Sequence, residues 1–189
     1  TAVFRELDKN CICGDLLDIF RVKYDYHNVK VLVKAMAANS EGDHLLSDSG
    51  RVPLEKLTEA FITGERRDIP PHMKDAISRA VGILSRTSDP QLSDIDIDRH
   101  YFSEITQLAG RIDLDFVTGY VKLLIDSANL RTVVRTLRMK KDPDFLKKAL
   151  FHGGTVRLDR LMAVSPSGEG LAELFGPGIL AEAAELGQE

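Results

Sequence analysis

An eleven-residue pattern occurs twice in this chain and constrains its fold more than any other sequence feature. D-Y-H-N-V-K-V-L-V-K-A runs from Asp25 to Ala35, and D-S-A-N-L-R-T-V-V-R-T runs from Asp126 to Thr136. Each copy holds an Asp, an Asn three residues later and then two basic residues, with mainly aliphatic or small residues between them. The repeat predicts two copies of one structural module.

The similarity continues after each copy of the pattern. The segment S-G-R-V-P-L-E-K-L at Ser49 to Leu57 resembles G-G-T-V-R-L-D-R-L at Gly153 to Leu161. These two segments are separated by three more residues than the two copies of the eleven-residue pattern are. We expect the three extra residues in the loop around 139–143. A long helix, a polar loop, a glycine turn and a short helix thus recur in one order. We predict a first module at residues 1–64, incomplete on its N-terminal side, and a second at 65–189.

Hydrophobic periodicity predicts helices along most of the chain. The two longest cover about 15–39 and 115–139, and their apolar stripes include Met36, Phe116 and Leu123. Shorter helices are predicted at about 53–62, 71–86, 98–109, 143–151 and 158–164, and in the alanine-rich C-terminal segment. No convincing alternation typical of a strand extends beyond a few residues. The predicted fold class is all-α, with repeated helical-bundle modules related by pseudo-symmetry.

Composition narrows the class of protein. The 189 residues are 43% hydrophobic and 29% charged, with a net charge of −4, whereas a general nucleic-acid binder carries a basic excess. No apolar run approaches the roughly 20 residues of a membrane span, and no secretory signal is evident. We therefore expect a cytoplasmic protein without membrane insertion. Because the sequence begins at Thr1 rather than Met, we also expect it to be part of a longer protein.

The sequence contains no motif that indicates catalysis or cofactor binding. Cys11 and Cys13 are separated by one residue, which does not match zinc-ligand spacing, and we interpret them as reduced thiols without a role. The five histidines show no H-E-x-x-H spacing, and neither a phosphate-binding loop nor a G-x-S-x-G turn is present. We predict no catalytic residue, no metal and no cofactor.

An acidic stretch invites comparison with a calcium-binding loop. Asp94, Asp96 and Asp98 alternate like the first ligands of an EF-hand, but Arg99 stands where the loop requires Gly and Ile105 where it requires Glu. The calcium interpretation therefore fails. We expect these carboxylates to form a solvated acidic entrance to the helix predicted from Asp98.

A basic stripe follows the second Asp-x-x-Asn pattern. Arg131, Arg135 and Arg138 are spaced to share one helix face, and four lysines follow up to Lys148. Such a stripe could bind the phosphates of a nucleic acid, or it could pair with carboxylates of a neighbouring helix or protein. The acidic net charge favours the second interpretation.

The polar pair in each pattern lies on an apolar helix face. Asp25 and Asn28 share their face with Leu32, so a carboxylate there is costly unless it is paired and hydrogen-bonded. We expect a buried network that sets the packing register of each long helix, with contact to a partner as the alternative. The predicted structural motif comprises Asp25, Asn28, Lys30, Lys34, Asp126, Asn129, Arg131 and Arg135.

These residues also carry a resemblance to a known family. Y-D-Y-H-N-V-K-V-L-V-K-A at Tyr24 to Ala35, I-D-R-H-Y-F at Ile97 to Phe102, I-D-S-A-N-L-R-T-V-V-R at Ile125 to Arg135 and F-H-G-G at Phe151 to Gly154 resemble the C subunit of bacterial and archaeal V/A-type rotary ATPases. The eukaryotic equivalent is the d subunit. The resemblance implies a funnel of three similar helical modules, of which this chain shows two.

The resemblance also implies a function. It predicts a non-catalytic rotor subunit at the cytoplasmic face of the membrane, linking the central-stalk subunits to the proteolipid ring and passing torque for ATP-coupled proton or sodium transport. No nucleic-acid partner is expected on this interpretation. The alternative is a helical scaffold or nucleic-acid-binding module that uses the basic stripe from Arg131 to Lys148.

Overall fold

The computed structural model describes residues 2–10, 14–40, 42–164 and 166–188, and their regular secondary structure is entirely helical. The predicted all-α class is confirmed. The chain forms two compact units, residues 1–112 and 113–189. This boundary differs from the predicted one at residue 64, but compactness does not test internal repetition, so the two-module division stays a prediction. Cys11 and Cys13 lie outside the described residues.

The first unit is built around one long helix. Its helices are α1 Ala2–Asn10, α2 Gly14–Ala38, α3 Leu54–Thr63, α4 Pro71–Thr87 and α5 Pro90–Ile112, and a 3-10 turn covers Asp43–Leu45. α4 and α5 pack against each other and against α2. The buried side chains Val22, Val29 and Val33 on α2, with Ile77 on α4 and Ile105 on α5, form the centre of this packing. Helix α1 was not predicted from the sequence.

The long helix α2 ends close to its predicted boundary for a local backbone reason. Asn39 adopts a left-handed conformation with φ 47°, and the Ser40 N–H donates to the Ala35 carbonyl at 3.0 Å. Asparagine tolerates this conformation better than most residues, and the hydrogen bond satisfies one of the free carbonyls at the helix end. The polar residues after Ala38 therefore stop the helix and lead into the 3-10 turn.

The helix predicted from Asp98 begins eight residues earlier, at Pro90, so that predicted boundary is wrong. The Asp89 carboxylate accepts hydrogen bonds from the N–H groups of Gln91 at 2.8 Å and Leu92 at 3.4 Å. An aspartate cap followed by proline in the first turn is a strong start signal, because proline needs no hydrogen-bond acceptor for its nitrogen there. This Asp-Pro pair therefore determines where α5 begins, and the later aspartates do not.

The second unit repeats the long helix and surrounds it with shorter ones. Its helices are α6 Asp115–Arg138, α7 Pro143–Ala149, α8 Leu158–Val164 and α9 Ile179–Gln188, with a 3-10 turn at Ala172–Phe175. The buried core comprises Leu130, Val133, Leu146, Leu150, Val156, Leu161, Leu171 and Ala184. These residues come from α6, α7, α8, α9 and the segments that join them, so the core depends on all four helices.

The three extra residues of the second copy fall near α7. Among the described residues, the first unit has the 3-10 turn Asp43–Leu45 between its long helix and its glycine turn, whereas the second unit has the seven-residue helix α7. Asp142 caps α7, since its carboxylate accepts from the Asp144 N–H at 2.7 Å. The insertion therefore lengthens a connection without changing the order of the glycine turn and short helix after it.

Three apolar residues that the periodicity assigned to core-facing stripes are exposed. Met36 is 48% exposed, Leu123 46% and Phe116 80%. Periodicity identifies which residues share a face but not how far along the helix that face is covered. Met36 lies in the last turn of α2 and Phe116 in the first turn of α6, where fewer neighbouring elements cover the helix.

Candidate functional site

The first Asp-x-x-Asn motif is completely buried, as the helical spacing predicted. Asp25 is 0% exposed, and its Oδ1 accepts from the N–H of Arg51 at 2.8 Å and from that of Val52 at 3.1 Å. Its Oδ2 accepts from Arg51 Nε at 2.8 Å. One carboxylate thereby satisfies two backbone donors and pairs with one partly buried cation, which are the conditions under which a charge is tolerated inside a protein.

Asn28 ties α2 to the chain just before the glycine turn. Its Nδ2 donates to the Ser47 carbonyl at 2.8 Å, and its Oδ1 accepts from the Ser47 N–H at 2.8 Å. The amide thus pairs with both backbone groups of one residue, as a neighbouring strand would. Asp25 and Asn28 together hold the segment 47–52 against α2.

The second motif repeats this arrangement residue by residue. Asn129 Nδ2 donates to the Phe151 carbonyl at 2.8 Å, and Asn129 Oδ1 accepts from the Phe151 N–H at 2.8 Å. Asp126 is 3% exposed and accepts from the N–H groups of Thr155 at 2.9 Å and Val156 at 3.2 Å. The burial and hydrogen bonding predicted for both aspartates are confirmed.

A glycine in each turn lets the aspartate approach the backbone. A Cβ atom on Gly50 would collide with the carboxylate of Asp25, and one on Gly154 would collide with that of Asp126. The two aspartates can reach the turn only because these positions lack a side chain. Glycine is therefore part of the motif, although the sequence pattern predicted it only as a turn residue.

A buried charge network in the first unit extends the motif and was not predicted. Arg51 Nη2 donates to Glu104 Oε1 at 2.7 Å, and the Tyr26 hydroxyl donates to Glu104 Oε2 at 2.7 Å. Glu104 is 7% exposed and Tyr26 2%. Arg51 and Glu104 are far apart in sequence, so no local pattern predicts their contact. The network joins α2, the glycine turn and α5.

Burial shifts the pKa values of the groups in this network. It raises the pKa of Asp25 above its ordinary value, and the hydrogen bonds and charge of Arg51 offset that effect only in part. Burial also raises the pKa of the Tyr26 hydroxyl, and the negative charge of Glu104 raises it further. For Arg51, burial lowers the pKa, but Glu104 and Asp25 outweigh it and the net direction is upward. The guanidinium therefore stays charged.

The motif lysines pair with another helix rather than with the motif aspartate. Lys30 Nζ lies 2.6 Å from Asp98 Oδ1, and Lys34 Nζ lies 2.6 Å from Asp94 Oδ2. Both carboxylates belong to α5, so the lysines fasten α5 along α2. The structure brings Asp25 and Asn28 to the glycine turn and directs Lys30 and Lys34 to a different partner.

The acidic stretch is not the solvated helix entrance that we expected. Asp96 is only 3% exposed, and Arg79 binds it with two hydrogen bonds, from Nε at 3.1 Å and from Nη2 at 3.0 Å. Burial alone would raise the pKa of Asp96, but the contacts with Arg79, His100 and Arg99 lower it below its ordinary value. The expectation was wrong because the helix starts at Pro90, which places all three aspartates inside α5 beside basic residues of α2, α4 and α5 itself.

The basic residues of the second unit point to solvent. Arg131 and Arg135 are exposed, and neither side chain has an ion pair or hydrogen bond among the described residues. Arg138 is also exposed, but its Nε donates to the Gly187 carbonyl at 3.1 Å. The lysines up to Lys148 are exposed as well, but they lie in the following turn and on α7. They do not continue the stripe on α6.

Within the described ranges, no three His, Cys, Asp or Glu side chains are grouped as ligands for a metal ion. No helix in the same ranges combines the length and the apolar character needed to cross a membrane.

The fold and its motifs define a class of protein: an all-α protein in which a buried Asp-x-x-Asn pair fastens each of two long helices to a glycine turn. Comparison with known proteins places the chain more narrowly. The family model for the ATP synthase (C/AC39) subunit matches residues 4–177. This chain belongs to that family, which groups subunits of rotary ATPases.

One curated relative illustrates the relationship. The chain is 24% identical over 161 residues to the C subunit of the V-type sodium ATPase of Enterococcus hirae, an alignment that covers 85% of this chain and 49% of the relative. The chain therefore spans about half the length of that relative. No solved structure matches the chain.

Proposed function

We propose that the full-length protein is a non-catalytic rotor subunit of a V/A-type rotary ATPase. It links the central-stalk subunits to the membrane proteolipid ring at the cytoplasmic face of the membrane. Through this link it passes torque between ATP hydrolysis and the transport of protons or sodium ions. The protein acts by binding and carries no active site of its own.

The observation that carries this proposal is the family match over residues 4–177, which includes both Asp-x-x-Asn motifs. Membership of this family indicates that the protein is a subunit of a rotary ATPase. The name of the Enterococcus hirae relative, a V-type sodium ATPase subunit, agrees with a complex that transports ions. The rotor position and the two partners are the proposed steps beyond the family itself.

The buried hydrogen bonds that fix each long helix to its following turn support a mechanical role. Two long helices, α2 with 25 residues and α6 with 24, extend about 35 Å each at 1.5 Å per residue. Each is fastened to its following turn by an Asp and an Asn that are at most 3% exposed. Buried, fully hydrogen-bonded polar groups allow few alternative packings, since any slip leaves donors without acceptors. A torque-bearing joint benefits from such a fixed register.

The test is reconstitution of the intact rotary ATPase in vesicles with and without the full-length subunit. ATP hydrolysis by the head should persist without the subunit, whereas ATP-driven ion uptake into the vesicles should fall to background. Adding the purified full-length subunit back should restore ion uptake, which shows that the loss does not come from a damaged ring.

Two results would count against the proposal. Ion uptake that continues at undiminished yield per ATP without the subunit would exclude a coupling role. Loss of ATP hydrolysis together with ion uptake would instead indicate that the subunit is needed by the catalytic head. Cross-linking of the restored complex identifies whether stalk and ring subunits are its neighbours.

A further inference from the structure

One stripe along α6 is more exposed than the corresponding stripe of α2. It consists of Leu123, Ser127, Arg131 and Arg135, which are spaced four residues apart and so lie on one helix face. We call these four residues the α6 stripe. Leu123 is 46% exposed, and both arginines are exposed without an ion pair among the described residues.

The repeat identifies the elements that cover the same positions in the first unit. The α6 stripe corresponds to four residues of α2: Val22, Tyr26, Lys30 and Lys34. Of these, Val22 and Tyr26 are buried. Helix α5 lies antiparallel along them. The Tyr26 hydroxyl donates a hydrogen bond to Glu104 at 2.7 Å. Further along α2, Lys30 pairs with Asp98 and Lys34 pairs with Asp94, both at 2.6 Å.

Each unit also has another helix that packs against its long helix. In the first unit α4 packs against α2, and in the second unit α9 packs against α6. Gly187 of α9 lies against Val134, and its carbonyl accepts from Arg138. The second unit therefore has a counterpart of α4, but no described helix of that unit covers the α6 stripe as α5 covers α2.

We propose that the α6 stripe is the docking surface for an acidic amphipathic helix from outside these 189 residues. The docked helix runs antiparallel to α6 and carries two carboxylates four residues apart, which pair with Arg131 and Arg135 as Asp94 and Asp98 pair with Lys34 and Lys30. Its apolar residues cover Leu123. Charge complementarity and the internal repeat both favour this occupant. The inference does not depend on the proposed rotor function.

Arginine suits this surface for a physical reason. Its planar guanidinium binds a carboxylate through two parallel hydrogen bonds and stays charged at every physiological pH. A single ion pair at an exposed site contributes little, but two pairs in fixed register select the orientation and sign of the partner.

The experiment measures binding of fluorescent peptides to the 189-residue chain by anisotropy. One peptide has the sequence of α5, Pro90–Ile112, and the other carries Asp94→Lys and Asp98→Lys. The wild-type chain should bind the acidic peptide about tenfold more tightly than the reversed one, and added salt should weaken that binding. The Arg131→Glu, Arg135→Glu double variant should prefer the reversed peptide instead.

A matched control separates this surface from general charge. The Lys140→Glu, Lys147→Glu double variant changes the net charge by the same amount at two other exposed bases of the second unit, and it should keep the wild-type preference. Circular dichroism spectra and thermal unfolding of all variants establish that each is folded. An exchange of preference between the two peptides cannot come from loss of structure.

Four results would overturn the proposal. Equal binding of the acidic peptide by wild-type chain and the Arg131→Glu, Arg135→Glu variant would show that it binds elsewhere. Absence of binding up to about 1 mM, where the binding free energy is only about −4 kcal/mol, would exclude an α5-like occupant. Dimerisation of the chain that the same variant abolishes would assign the surface to a second copy. Salt-sensitive binding of a DNA oligonucleotide through these arginines, without peptide binding, would assign it to nucleic acid.

Discussion

Arg51 donates twice to Asp25, once from its backbone N–H and once from its side-chain Nε, both at 2.8 Å. Thr155 occupies the corresponding position in the second motif, and only its backbone N–H reaches Asp126. The two motifs therefore share the position of the aspartate beside the glycine turn but differ in the groups that donate hydrogen bonds to it. The first unit has a charged network that also includes Glu104, whereas the second has a carboxylate held by backbone donors.

This difference predicts that Arg51→Thr strongly destabilises the first unit. The substitution leaves the carboxylates of Asp25 and Glu104 buried without their cation, and breaking a buried ion pair from one side costs about 3 kcal/mol or more. Urea unfolding followed by circular dichroism measures the change. Arg157→Thr is the matched control because its ion pair with Asp159 is exposed, and it should unfold like the wild type. Equal stability of the two variants would show that the Arg51 network contributes nothing.

A second prediction compares the two motif aspartates. Asp126→Ala leaves the N–H groups of Thr155 and Val156 without acceptors, which should lower the free energy of unfolding by about 2 kcal/mol. Asp25→Ala should lower it further, since Arg51 also loses one of its carboxylates. Hydrogen exchange resolved by residue should show faster exchange of the Thr155 and Val156 amides in the Asp126 variant only. A larger loss for Asp126→Ala than for Asp25→Ala would contradict the assignment of the charge network to the first unit.

A third prediction concerns the glycine beside each carboxylate. Gly154→Ala should lower the free energy of unfolding by about 2 kcal/mol, because the new methyl group collides with Asp126 and overpacking of this kind costs about 1–3 kcal/mol. Gly119→Ala in α6 is the control, since its added Cβ would meet no atom within 4 Å beyond its chain neighbours and the backbone of its own helix, and it should raise the stability by about 0.5–1 kcal/mol. Denaturant titrations compare both with the wild type. A stabilising Gly154→Ala would mean that the carboxylate does not need this space.

Local sequence signals predicted much of this fold. Both long helices end within one or two residues of the predicted boundaries, because aliphatic periodicity and polar stop signals act over neighbouring residues. The buried Asp-x-x-Asn pairs were also predictable, since their spacing places them on the apolar face. The start of α5 was missed although Asp89-Pro90 is the same signal that correctly located α7 at Asp142-Pro143.

The contacts between distant segments were not predictable from one sequence. Arg51 and Glu104 meet only because α5 packs along α2, and nothing local distinguishes Arg51 from any other arginine in a turn. The partners of Lys30 and Lys34 were missed for the same reason. The motif roles proposed for Arg131 and Arg135 stay predictions, because the described residues contain no partner for either.

The last prediction uses the depressed pKa of Asp96. Arg79, His100 and Arg99 outweigh the effect of burial and hold this pKa below 3.8, so the folded state releases the proton more readily than the unfolded chain does. The resulting stabilisation is present above pH 3.8 and is lost as the pH falls through the folded pKa. Asp96→Asn should therefore be less stable than wild type at pH 7, and the gap should narrow as the pH falls below 3.8. Urea unfolding at a series of pH values measures it, and in an Arg79→Met background the pH dependence of the gap should shrink. A gap that stays constant at every pH would show that Asp96 titrates alike in both states.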